Sequence, residues 1–208
     1  MYNIRSLDLE QCLKSIGVYT MLDKLINKNR SYRRFNQKKT IPTDILKKLL
    51  NYARLSPSSA NIQPLKYYLS NSASKNELVF STLFWAGYLK DWQGPAEGEK
   101  PTAYIIILGD TAIKKSFSID PGICAQSIML GAVEEGLGGC MIGSIKKDQL
   151  RNNLSIPEQY EILLVLALGE PAEEIIIDEI EENENIKYWR DKDDIHHVPK
   201  RKLNDIVL

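Results

Sequence analysis

The chemistry this chain can offer is concentrated first in Ser56-Pro57-Ser58-Ser59-Ala60-Asn61-Ile62-Gln63-Pro64, where two prolines bracket short hydroxyl and amide side chains. Two basic clusters stand apart from it: Arg30, Arg33 and Arg34 early in the chain, and Lys200, Arg201 and Lys202 near its end. Each cluster alone reads most simply as a solvated face. Brought together with Ser31, Ser58 and Ser59, they have the makings of a phosphate site. Arginine grips phosphate oxygens in pairs, lysine acts as a point charge, and serine completes the oxygen shell. A phosphate monoester carries roughly −1.5 to −2 charges, which two or three cations balance.

Other chemistries find less support. Ser58 and Ser59 lie in no Gly-x-Ser-x-Gly elbow, and the two histidines, His196 and His197, are adjacent near the C-terminus. A serine–histidine pair stays geometrically open. His196 and His197 with Asp191, Asp193 and Asp194 could touch a cation, but a polar, solvated tail is the simpler reading, and no metal site is expected. The run Gly136-Leu137-Gly138-Gly139-Cys140-Met141-Ile142-Gly143 has the glycine density of a dinucleotide loop. Such a loop follows a strand and opens a helix, whereas this one follows a helix and leads into a strand. A helix C-cap accounts for Gly136 or Gly138, and Gly143 would let a flat ligand approach backbone N–H groups.

Composition narrows the class. With 43% hydrophobic and 26% charged residues in 208, the chain is globular and large enough for one well-buried core. Lysine plus arginine and aspartate plus glutamate are equal at 27 each, so the basic excess of a phosphate-tracking nucleic-acid binder is missing. Cys12, Cys124 and Cys140 fit neither a zinc pattern nor a disulfide framework and read as free thiols in a reducing compartment. The N-terminus lacks the apolar core of a signal peptide, and runs such as Tyr104 to Leu108 are far short of a membrane span. A cytoplasmic, soluble protein is expected.

Periodicity places these residues on elements. Met21, Leu22, Leu25 and Ile26 predict a helix to about Lys28; Ile45, Leu46, Leu49, Leu50 and Ala53 predict a second after Pro42. Strands are expected at Lys66–Leu69, Ala103–Leu108, Gly139–Ile142 and Ile162–Leu168, with helices around Leu78 and at Lys147–Leu154. Asp120 to Leu137 is apolar on most sides, as in a central helix or one shared between subunits. Gly87 to Thr102 reads as a loop or lid, and the acidic and mixed segment after Pro171 as a tail that packs on something. The alternation of helices and strands gives an α/β or α+β domain.

Four stretches together resemble the nitroreductase family of flavoproteins: Arg30-Ser31-Tyr32-Arg33-Arg34-Phe35, the bend from Ala53 to Pro64, Gly136 to Gly143, and Pro199-Lys200-Arg201. The resemblance implies an α+β fold, a central antiparallel sheet flanked by helices, in an intertwined homodimer with FMN at the subunit interface. It divides the chain into an N-terminal extension, residues 1–18, and a single FMN-binding domain, residues 19–208, whose C-terminal arm packs on the partner. It implies that Arg30 and Ser31 hold phosphate and ribityl, and that Arg33 lies near the flavin N1–C2=O edge. It further implies that Pro57, Ser58 and Ser59 reach the flavin from the other subunit beside Asn61 and Gln63, that Ile142 and Gly143 face N5 and O4, and that Lys200 and Arg201 clamp the phosphate. No side-chain acid or base is implied. The activity implied is ping-pong reduction of small electron acceptors such as nitroaromatics and quinones by NAD(P)H. Reductive dehalogenation, flavin modification, or a non-catalytic flavin-binding dimer are the alternatives. Asn29 stands where many relatives have arginine, and Leu65 where an aromatic commonly follows.

Overall fold

A computed structural model describes residues 20–208. The expected N-terminal extension, Cys12 included, lies outside the described residues. The core is a four-stranded antiparallel sheet built from β1 (Leu65–Ser70), β2 (Ala103–Asp110), β3 (Gly138–Ile142) and β4 (Tyr160–Gly169), in the order β1-β2-β4-β3. All eight residues of β2 are buried. Its unbroken apolar run follows from helices covering both faces, since successive side chains point to opposite sides. Ile105 and Ile107 pack with Leu166 and Leu168 against Leu46 and Leu49 of α2 (Thr43–Leu55) and Ala125, Ile128 and Met129 of α4 (Asp120–Glu134). Tyr104 and Ile106 pack on the other side with Val79 of α3 (Ala73–Phe80) and Leu150 and Leu154 of α5 (Lys147–Leu154).

α1 (Met21–Lys28) is opened by a reciprocal cap between Thr20 and Asp23. None of its residues is buried, and Met21, Leu22 and Ile26 are exposed. Residues 81–102 contain no helix and no extended strand, as expected for a loop.

The segment after Pro171, expected only as a tail that packs on something, contains three further strands. β5 (Ile175–Ile180), β6 (Trp189–Arg190) and β7 (His196–Arg201) form a second sheet, with β5 and β7 parallel and β6 and β7 antiparallel. β5 is mostly half-buried or exposed, and its three consecutive isoleucines followed by Asp178 and Glu179 show no apolar alternation.

The glycine run is explained by close approach. Tyr32 N–H donates to the Gly139 carbonyl (2.9 Å), laying the basic segment along the free edge of β3. A Cβ on Gly138 would sit 2.5 Å from the Tyr32 ring, and one on Gly139 would sit 2.4 Å from the Ala167 carbonyl oxygen. Gly139→Ala is therefore expected to destabilise the fold by about 1–3 kcal/mol. Urea unfolding checks this, with a lowered midpoint and an unchanged slope as the expected result.

Candidate functional site

The Ser56–Pro64 bend is organised around a carboxylate. Asp120, in the first turn of α4, is only 1% exposed. Ser58 Oγ donates to its Oδ2 (2.9 Å) and Ser59 N–H to its Oδ1 (3.0 Å), while Gln63 N–H donates to Ser58 Oγ (2.9 Å). The Gln63 side-chain amide turns back on Asn61. These groups are therefore engaged within the protomer and are not a free row of donors. A buried carboxylate is costly unless hydrogen-bonded, and the bend supplies the bonds. Ala60, Asn61 and Gln63 all have positive φ (50°, 54° and 53°). The bend borders a small cavity of about 150 Å³ with Ser56, Pro64, Tyr67 and Cys124.

A second cleft, of about 300 Å³, collects the basic residues. Arg30, Ser31 and Arg33 line it from one side, Gln126 from α4, and Tyr188, His196, Val198 and Lys200 from the tail. Arg30, Arg33 and Lys200 have no carboxylate partner among the described residues. Burial lowers the Arg30 pKa, and its Nε is buried with no hydrogen-bond partner. The sequence clusters are thus divided. Arg34 turns away to pair with Asp194 (2.9 Å) and Glu99 (3.4 Å). Alternation along β7 places His196, Val198 and Lys200 on the cleft side and Arg201 on the other. Lys202 is taken up by Glu181.

Arg33 is the most constrained of the three cations, at 8% exposed. Its Nη1 donates to the Ser31 carbonyl (3.2 Å) and meets His196 Nε2 at 3.2 Å, and its guanidinium lies 4.6 Å from the centre of the Tyr188 ring. Arginine only donates, so Nε2 accepts and the His196 proton sits on Nδ1. His196 is fully buried, which overturns the reading of the two histidines as a solvated tail. Burial, then the charges of Arg33, Arg190 and His197, push its pKa down from 6.5 to about 4. His197 faces the other way, stacked on Trp189 at 4.2 Å with its Nδ1 2.9 Å from Asp178.

Ile142 and Gly143 end β3. Ile142 is buried, Gly143 is exposed, and a Cβ on Gly143 would meet nothing within 4 Å. The backbone is uncrowded at Gly143. Sequence reasoning missed Asp120, Gln126, Glu173 and Tyr188. Gln126 had a readable signal, being the one amide in an otherwise apolar helix. Asp120 could have been suspected as a charge opening that helix.

A layered antiparallel α+β domain with a cleft lined by Arg30, Arg33 and Lys200 defines the class. The model of the nitroreductase family matches residues 26–170, and the chain belongs to that family. It is 28% identical to a Methanothermobacter thermautotrophicus protein named as an NADH dehydrogenase/NAD(P)H nitroreductase, over 76% of this chain and 82% of that one. A protein of the same name from Archaeoglobus fulgidus is 25% identical over 80% of this chain and 88% of its own. The fold matches that of a nitroreductase from Exiguobacterium sibiricum solved in complex with FMN (TM-score 0.61, 19% identity, 75% of this chain and 90% of that one).

His196 predicts a pH dependence of stability. Its folded pKa is depressed, so between about 4 and 6.5 the unfolded chain binds more protons than the folded one. Its contribution is complete above pH 6.5 and is lost as pH falls towards 4, with a slope of at most about 1.4 kcal/mol per pH unit. Unfolding measured from pH 7 to 4 should show this slope, and it should be absent in His196→Gln.

Proposed function

We propose that the protein is an FMN-dependent oxidoreductase that uses NAD(P)H to reduce small aromatic acceptors. The observation that carries this reading is the cleft in which Arg30, Ser31, Arg33 and Lys200 converge without carboxylate partners among the described residues. The donor set fits the cofactor: two cations, Arg30 and Lys200, with the Ser31 hydroxyl suit a phosphate dianion, and the buried, partnerless Nε of Arg30 is a donor lacking its acceptor.

Bound FMN supplies the hydride and electron chemistry. Arg30, Ser31 and Lys200 hold the phosphate end. With FMN bound, Arg33 would supply positive charge to the pyrimidine edge, where reduction builds negative charge, and so would favour the reduced form. The exposed backbone of Gly143, next to buried Ile142, would offer an N–H to the other edge of the ring. Arg201, on the far side of β7, adds to the general positive field at the rim. NAD(P)H and the acceptor would react in turn at the bound flavin, giving ping-pong kinetics.

The site is shared between two copies of the chain in this reading. The cavity at the Ser58–Gln63 bend and the cationic cleft have no lining residue in common. Exposed apolar side chains at Met21, Leu22, Ile26 and Leu55 flank a groove of about 320 Å³ lined by Leu25, Tyr52 and Leu130. Leu203, Ile206 and Val207 extend the exposed apolar surface into the C-terminal arm. Burying these faces in a homodimer brings Pro57, Ser58, Ser59, Asn61 and Gln63 of one subunit to the cleft of the other. Asp120 then serves to hold the shape of that bend.

Purified protein is expected to carry a flavin absorption spectrum, or to take up added FMN stoichiometrically, and to bleach on mixing with NADH or NADPH. Colourless protein that ignores added FMN would sink the proposal. Light scattering should give a dimer of the 23.7 kDa chain. Lys200→Ala should raise the FMN dissociation constant by roughly tenfold or more, the value of one charge-assisted contact. Calorimetric titration reads this directly.

A further inference from the structure

We propose that His196 is a positioning residue: as a neutral acceptor in the C-terminal sheet, it fixes the Arg33 guanidinium at the cleft and leaves its positive charge uncompensated. The inference rests on the flavin reading above and deepens it by assigning the device that keeps Arg33 cationic in effect as well as in name.

The arrangement of charges around Arg33 carries it. Neighbouring arginines are neutralised: Arg34 by Asp194 and Glu99, and Arg190 by Glu173 at 2.8 Å. Glu173 lies close enough to Arg33 to accept from its backbone N–H, yet its other oxygen is committed to Arg190. Among the described residues the Arg33 side chain has neutral contacts: the Ser31 carbonyl, the face of Tyr188, His196 Nε2 and the buried Cys140 thiol. A carboxylate at position 196 would give the same hydrogen bond and cancel the charge. An aliphatic residue would leave the charge and release the guanidinium. A neutral imidazole does neither, and a charged one is disfavoured by Arg33 and Arg190 on either side.

His196 is itself held. Its backbone N–H donates to the Glu174 carbonyl (2.9 Å), and its ring centre lies 5.4 Å from that of Tyr188. Tyr188 in turn packs on Tyr88 of the 81–102 segment, with ring centres 4.9 Å apart. The acceptor that aims Arg33 is therefore anchored to both the second sheet and the loop.

The test measures the FMN dissociation constant and the midpoint potential of bound FMN in the wild type, Arg33→Ala, His196→Met and His196→Gln. Methionine fills the space without a comparable acceptor; glutamine keeps a neutral one. His196→Met is expected to shift the ratio of reduced to oxidised FMN affinity about tenfold towards the oxidised form, which lowers the potential of a two-electron couple by about 30 mV. Arg33→Ala should move it in the same direction and His196→Gln should stay near the wild type. A purely structural histidine would lower the melting temperature in both variants and leave the potential in place, and that pattern overturns the proposal. If His196→Met does not fold, His196→Asn, whose amide falls short of Arg33, replaces it with the same expectation. A wild type that binds no FMN removes the flavin reading itself. FMN binding with a normal response to Arg33→Ala and none to the folded His196 variant removes only the inference.

Discussion

The carboxylate of Glu173 is 1% exposed and accepts from the backbone N–H groups of Arg33 and Arg34 while pairing with Arg190 at 2.8 Å. It joins residues about as far apart in the chain as this domain allows: the basic segment near the start and the small sheet near the end. Removing one partner of such a buried pair costs about 3–5 kcal/mol, because the other is left charged and unsolvated. This tie helps hold the cationic cleft together, since one wall comes from residues 30–33 and the other from β7. Gly138 and Gly139 provide the second half of the constraint. With no side chains there, Tyr32 can lie flat on β3 and carry Arg30 and Ser31 to the sheet edge.

Much of the framework was legible because it follows from burial. β2, β4 and α4 announce themselves as apolar runs, and the sheet covered on both faces explains why they do not alternate. The order of the basic segment, the bend and the glycine run carried the family. What stayed hidden was long-range and polar. Nothing local says that Glu173 captures two N–H groups some 140 residues away or that Asp120 collects Ser58 and Ser59. β5 and β7 are short and half-exposed, so their side-chain pattern is that of a solvated tail. That pattern hid the burial of His196, and with it the split between Lys200 on one face and Arg201 on the other. A strand seen as such would have given the split at once, from a period of two.

The bend at Ser56–Pro64 stores conformational strain against a purpose. Non-glycine residues in the left-handed region cost of order 1 kcal/mol or more each, and three of them lie within four positions here. Such a conformation persists only where surrounding bonds over-determine it, and Asp120 is the group that does so: its two oxygens fix Ser58 and Ser59, and Ser58 fixes Gln63. A turn needed only to connect α2 to β1 would have no use for this expense, since an ordinary polar loop joins them without positive φ at alanine and glutamine. The bend's outward groups, the side chains of Asn61 and Gln63, are both exposed and bonded to each other. They form a rigid polar ridge on the surface of one protomer. The cleft of cations, by contrast, is concave and has no carboxylate among its described lining residues. The ridge and the cleft share no lining residue; in the proposed homodimer the ridge of one subunit would cover the cleft of the other.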